Sequence, residues 1–199
     1  MSYSPVILNL IQALCAMPGI GRKSAQRIAF HLLEKDREGA QTLSMSLSQA
    51  ALKIKNCQEC RMLTDDDLCV ICRSGNRDES TICIVESPSD VMAIEDATGF
   101  KGKYFIMMGH LSPIDGIGPE ELGLSILENK LAKGIISELI IATNSTVEGD
   151  ATAHLLSGIA AKYQISCSRI AQGIPLGGEL EYVDGGTISH AFFGRRKME

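Results

Sequence analysis

Four cysteines stand in two pairs, Cys57 with Cys60 and Cys69 with Cys72, each pair separated by two residues and the pairs by eight. A Cys-x-x-Cys turn points two thiolates at one place. Two such turns supply the tetrahedral four-sulfur set that Zn²⁺ prefers, with no position left open for water, so the chemistry expected is structural and not catalytic. Two disulfides or a redox pair are the alternatives, and short paired spacings in a chain with no basic stretch before its first apolar segment fit them less well. Four thiolates around one Zn²⁺ leave a charge of roughly −2, so this finger is not expected to grip a nucleic acid by itself. Cys15, Cys83 and Cys167 stand alone in apolar runs and read as small packed hydrophobes.

A second stretch, "MPGIGRKSAQRIAFHLL", has the pattern of a helix-hairpin-helix. Gly19 and Gly21 allow a tight turn and bring bare N–H groups close to a phosphate. Those amides open the next helix, where the dipole also favours an anion. Arg22, Lys23 and Arg27 follow, the last two four apart and so on one face. Such contacts position a phosphate backbone and read no bases. A packing corner with solvated charges is the alternative. His31 reads as an ordinary surface or core histidine.

The third constellation is acidic. Glu86 ends the apolar run "TICIVE", and "ELIIATNSTVEGDATA" carries a second run into a helix. Ligands in open α/β sheets gather at strand C-termini. The two stretches together resemble the Toprim domain of type IA topoisomerases, primases and repair nucleases. There a glutamate after the first strand acts with an Asp-x-Asp after a later one, the aspartates holding Mg²⁺ beside a phosphate. In this chain Asn144 and Thr146 stand where the aspartates belong. Glu86, Glu148 and Asp150 remain as a poor Mg²⁺ set, since that ion prefers several hard oxygens. None of Tyr3, Tyr104, Tyr163 and Tyr182 sits in a convincing nucleophile position. The expectation is a Toprim fold without Toprim catalysis. The acids Glu86, Asp90, Glu148 and Asp150, with Glu95 and Asp96 nearby, form instead a rim suited to a basic partner protein; a solvated helix face is the alternative.

The elements that must position these residues follow from periodicity. Apolar residues at helical spacing predict helices over about 5–17, from Arg22 onward, and over about 41–54. Beyond residue 80, "TICIV", "KYFIMM", "ELIIA" and "QISCSRI" read as buried strands, alternating with helices over 88–98, about 119–133 and 151–163, which predicts a parallel sheet. Ser87 and Asp90 are spaced to form a capping box. The fold class expected is mixed, multi-module α/β. Its segments are a helix-hairpin-helix over 1–55, a four-cysteine zinc finger over 56–79, a Toprim-type domain over 80–175, and a C-terminal segment over 176–199. That last segment either closes the core or forms an oligomer interface through Ile188, Phe192 and Phe193.

Charge is distributed to match. The net charge is −5, yet residues 1–55 hold seven Lys/Arg against three Asp/Glu, residues 56–79 three against six, and residues 80–199 nine against fifteen. A basic head on an acidic body attracts phosphate locally despite the total. No apolar run is long enough to cross a bilayer, and a cytoplasmic location is expected.

The order of these modules, with "CQECRML…CVIC", "IVESPSD", "HLSPIDGIGPEEL", "ATNSTVEGDATA" and "GIPLGGELEYVDGGTISHAFFGRR", closely resembles the RecR family of bacterial recombination mediators over nearly the whole chain. That family usually has Asn-Pro-Thr where this chain has Asn144-Ser145-Thr146, a change expected to affect loop stiffness only. The resemblance implies a non-enzymatic role in DNA repair. It implies a homo-oligomeric ring or clamp on DNA that works with RecO, and separately with RecF, to load RecA onto single-stranded or gapped DNA. It also implies Lys23 and Arg27 for DNA, the four cysteines for zinc, and Glu86 and Glu148 for partner contact. A Mg²⁺-dependent nuclease or topoisomerase with a degenerate site, and a zinc-stabilised adaptor that never touches DNA, are the competing readings.

Overall fold

The computed structural model describes residues 3–195. The chain divides between Ile54 and Lys55 into two compact units. The first holds helices α1 (Pro5–Cys15), α2 (Arg22–Glu34) and α3 (Arg37–Lys53). Ile11 and Leu14 of α1 pack against Ala25 and Ala29 of α2, with Ile7, Leu10, Ile20 and Ile28 around them. The alanines are fully buried, so the two helices approach closely. Helix α3 is capped at Asp36, whose side chain accepts from Gly39 N. It buries none of its residues, and Leu43, Met45, Leu47 and Leu52 are all exposed.

The second unit begins with a short antiparallel pair, β1 (Lys55–Asn56) and β2 (Leu63–Thr64), followed by the one-turn helix α4 (Val70–Arg73). A four-stranded parallel sheet follows: β3 (Asp78–Val85), β4 (Gly102–Ile106), β5 (Glu138–Ala142) and β6 (Ser166–Arg169), in the order β4-β3-β5-β6. Helices α5 (Pro88–Ala97), α6 (Leu124–Leu131) and α7 (Val147–Lys162) connect the strands. A 3₁₀ turn (Leu180–Tyr182) and α8 (Gly185–Phe193) complete the described chain.

Alternation along β3 explains the layers, because successive side chains leave a strand on opposite faces. Ile82 and Ile84 join Phe105, Leu139 and Ile141 against Leu127 and Leu131 of α6 and Leu156 and Ile159 of α7. Cys83 and Val85 point the other way, to Tyr104, Ile106 and Val91 of α5, and Met62 and Ile71 of the cysteine-rich segment cover the same face. Both faces are thereby covered, as a parallel sheet requires. Each fully buried aliphatic or aromatic side chain contributes about 1.5–3 kcal/mol to holding these layers together.

Three expectations need correction. The strand in "QISCSRI" is exposed at all four positions, because β6 is an edge strand whose side chains join neither core layer, whereas the other edge strand, β4, is covered. Cys167 on that strand is exposed for the same reason, whereas Cys83 is buried and Cys15 half-buried. Helix α7 starts at Val147, four residues earlier than its apolar pattern, because Thr146 caps it by accepting from Gly149 N at 3.0 Å.

Candidate functional site

In the hairpin, Gly19 takes φ 78°, the left-handed region open to glycine, while Gly21 at φ −78° does not need to be glycine for its backbone. Gly21 is the N-cap of α2 and offers no side-chain acceptor, so the first-turn amides have no cap from it. A cap would have occupied the donors that make a helix N-terminus an anion site. Arg22, Lys23 and Arg27 are exposed, and none is in an ion pair among the described residues. His31 is exposed too.

The four cysteines Cys57, Cys60, Cys69 and Cys72 are all buried, and their sulfurs lie within 4.8 Å of one another. The turn around the first pair is fixed by Cys57 N donating to Met62 O at 2.7 Å and Arg61 N donating to Cys57 O at 2.9 Å. Main-chain amides point at the sulfurs: Cys69 N donates to Cys57 Sγ at 3.3 Å, Met62 N to Cys60 Sγ at 3.5 Å and Cys72 N to Cys69 Sγ at 3.5 Å. Amides aimed at sulfur stabilise thiolate, the form that binds metal. The hydrogen bond with Cys60 brings the Cys72 thiol down to about 6 and pushes Cys60 up. A buried, convergent, all-sulfur donor set fits Zn²⁺ and would hold it as a structural ion.

At the sheet, Glu86 follows β3 and Asn144 follows β5, neighbouring strands whose connections leave in opposite directions. That is the place where such sheets bind ligands. Glu86 is nevertheless 5% exposed, and both oxygens of its carboxylate have partners. Oε1 accepts from Asn144 N at 2.7 Å, Oε2 accepts from Asn144 Nδ2 at 2.7 Å, and His110 Nδ1 lies 3.1 Å from Oε2. The side-chain amide therefore donates to the carboxylate where an aspartate would have repelled it. Gly149 closes the loop tightly, since a Cβ there would overlap the Asn144 carbonyl.

The remaining acids separate. Asp90 is half-buried and completes the capping box on α5: its Oδ2 accepts from Ser87 N at 2.8 Å and Ser87 caps in return. Asp150 pairs with Arg169 at 2.5 Å. Glu95 is bound by Arg77 and accepts from Tyr104 Oη at 2.7 Å, so it is an internal anchor and not part of an open rim. Glu148 is exposed with no carboxylate partner among the described residues. Tyr104 and Tyr163 both donate to glutamates. Sequence reasoning missed His110 as the third partner of Glu86, because the two lie 24 residues apart and no spacing links them.

Comparison with known proteins agrees module by module. Residues 7–51 match the RecR helix-hairpin-helix, 54–74 the RecR four-cysteine zinc finger domain, 80–171 the Toprim domain and 173–196 the RecR C-terminal region. The recombination protein RecR of Saccharophagus degradans is 55% identical over 196 residues, covering 98% of this chain and 100% of that protein. The RecR proteins of Xanthomonas axonopodis pv. citri and Xanthomonas campestris pv. campestris are each 53% identical over 195 residues, covering 98% of this chain and 99% of theirs. With the hairpin, the four-sulfur cluster and the parallel sheet in that order, this chain belongs to the RecR family of recombination proteins.

Proposed function

We propose that the protein is a non-enzymatic mediator of recombinational DNA repair. It holds DNA through the hairpin and presents the Toprim surface to partner proteins. The observation that carries this reading is the state of Glu86: three neighbouring donors use both oxygens of the one carboxylate that Toprim chemistry would need. A carboxylate so engaged is a poor Mg²⁺ ligand and a poor proton carrier.

In this reading Gly19, Gly21, Arg22, Lys23 and Arg27 meet the phosphate backbone, a role supported by their exposure and uncapped helix start. The four cysteines hold one structural Zn²⁺. Glu148 and Asp150 meet the basic partner, while the buried Glu86 and the capping Asp90 shape the loops beneath them. The partners are RecO-type and RecF-type mediators, and the outcome is RecA loading on gapped or single-stranded DNA in the bacterial cytoplasm. The working unit is a homo-oligomeric clamp, because one small basic head is a weak DNA binder and several around a hole add their contacts. Exposed Leu43, Met45, Leu47 and Leu52 on α3, and Leu176, Tyr182, Phe192 and Phe193 near the C-terminus, are surfaces that assembly would cover. The segments 1–55, 56–79, 80–175 and 176–199 then act as hairpin, finger, partner platform and assembly element.

The test is a gel of gapped and supercoiled DNA incubated with protein and Mg²⁺, each sample run before and after deproteinisation. A shift that disappears on deproteinisation is expected. Nicks or new topoisomers that survive it, and that Glu86→Gln removes, would establish a Mg²⁺-dependent nuclease or topoisomerase instead.

A further inference from the structure

Arg61 follows the last cysteine of the first pair and contributes nothing to sulfur chemistry. Its backbone is left-handed, at φ 68°, where non-glycine residues are uncommon. The turn sends its side chain into the Toprim part of the same unit. Nη1 donates to Met107 O at 3.0 Å and also to Leu122 O, Nη2 donates to Glu121 O at 3.3 Å, and the guanidinium carbon lies 6.0 Å from the Phe105 ring centre. Gly123, at φ 68°, provides the room, since a Cβ there would stand 2.5 Å from Nη1. One planar fork thus joins three carbonyls at the two ends of a single loop, residues 107–123. A lysine, with a single point of charge, cannot reproduce that.

The loop matters because of what it carries. His110 meets Glu86, Leu111 N donates to Thr152 Oγ1 at 2.9 Å, and Leu111, Ile117 and Pro119 line a cleft of about 560 Å³ with Val147 and Glu148. Its internal bonds are short-range: a bridge joins Ser112 to Ile117, and tight turns follow, with Leu122 N donating to Gly118 O at 3.3 Å and Gly123 N to Glu120 O at 2.9 Å; none of them ties one end of the loop to the other. The shape of this surface therefore depends heavily on its ends.

We propose that Arg61 is a positioning residue that makes the shape of loop 107–123 depend on zinc occupancy. The proposal rests on the four cysteines holding Zn²⁺. The backbone of Arg61 is fixed by the knuckle, its N–H bonded to Cys57 O, and the adjacent Cys60 O accepts from Ile106 N at 2.9 Å on strand β4. Without a cation the four sulfurs lose the centre that draws both knuckles together, and the first knuckle keeps only its few main-chain bonds, packing and weak sulfur hydrogen bonds. When the knuckle loosens, the fork leaves its three carbonyls, the two ends of the loop come apart, and the middle of the loop, which lines the cleft with Glu148, loses its support.

Hydrogen–deuterium exchange on the full-length protein tests this, with zinc content measured in parallel. The samples are wild type before and after metal chelation, Arg61→Lys and Arg61→Ala. Zinc at one per chain is expected in wild type and both variants. Amides of Gly109, Leu111, Leu122 and Gly123 should exchange about tenfold faster or more in both variants and in chelated wild type, while β3 and β5 stay protected. Unchanged loop exchange in the variants, or in chelated wild type, would overturn the coupling. Loss of zinc from the variants would also overturn it, by making Arg61 a support of the metal site. If Arg61→Ala fails to fold, Arg61→Lys decides. An absence of zinc in wild type would refute the metal reading itself, and the variants would then report on the loop clasp alone.

Discussion

The glycine hairpin and the strand-end loop have shapes suited to phosphate chemistry, yet they treat their polar groups in opposite ways. In the hairpin the helix start is uncapped, and Arg22, Lys23 and Arg27 extend into solvent without partners among the described residues. At the loop, Glu86 is buried with both oxygens hydrogen-bonded, Thr146 caps the helix, and Asp150 is paired. Those exposed groups of the hairpin are met by water alone among the described residues, and stay open to a ligand. A buried carboxylate bonded to its neighbours, as Glu86 is, stabilises the fold and is a poor ligand for a metal ion. The contrast is the one expected if, as proposed above, the hairpin holds DNA and the strand-end loop performs no chemistry.

The largest effect that would test this contrast is on DNA. Reversing both charges, Lys23→Glu with Arg27→Glu, should weaken binding about 100-fold at low salt and flatten its salt dependence, with thermal stability unchanged. Fluorescence anisotropy across a salt series checks it; equal affinities would remove the hairpin's role.

Next in size is Glu86→Ala. It leaves the Asn144 main-chain and side-chain donors without their buried acceptor, and should cost about 2–3 kcal/mol in urea unfolding while leaving DNA affinity intact. Intact stability would show that the carboxylate is not the scaffold described above. Asn144→Asp sharpens the same point. It sets a second carboxylate against Glu86 and should destabilise by about 1–2 kcal/mol, with millimolar Mg²⁺ restoring the loss. Calorimetric melts with and without Mg²⁺ decide, and a variant indifferent to the ion would mean the loop cannot be returned to metal binding by charge alone.

The smallest effect expected is at Glu95, away from both regions. Its bond with Arg77 holds the carboxyl below its usual value of 4.5. A depressed acid stabilises the fold above its unfolded pKa and loses that contribution as pH falls through the folded one. Glu95→Gln should therefore cost about 1 kcal/mol at pH 7, and the gap from wild type should close in acid below about pH 4. A gap that persists unchanged into acid would assign the cost to packing.

Much of this was legible in the sequence because it is local. The cysteine spacing, the start of α2 at Arg22, the Ser87–Asp90 capping box and the alternation of strands and helices all depend on residues within a few positions of each other. The exposure of β6 was not legible, because it depends on what the fold packs over a strand: β4 and β6 are both edges, and only β4 is covered. Nor was the fate of the acids. Glu86, Asp90, Glu95 and Asp150 look alike in the sequence, and they divide in the fold into a buried hub, a cap, an anchor and a surface pair.

By itself, then, the sequence determined the modules and their order, the four-cysteine donor set, and the presence of Asn144 and Thr146, not aspartates, in the loop after "ELIIA". Tertiary structure decided what those residues do. His110 and Asn144 lie 24 and 58 residues beyond Glu86, and Arg61 reaches carbonyls 46 to 61 residues away. Such bonds have no period or spacing to mark them. They exist because a parallel sheet places the ends of β3 and β5 side by side, and because buried polar groups must find partners wherever the fold puts them.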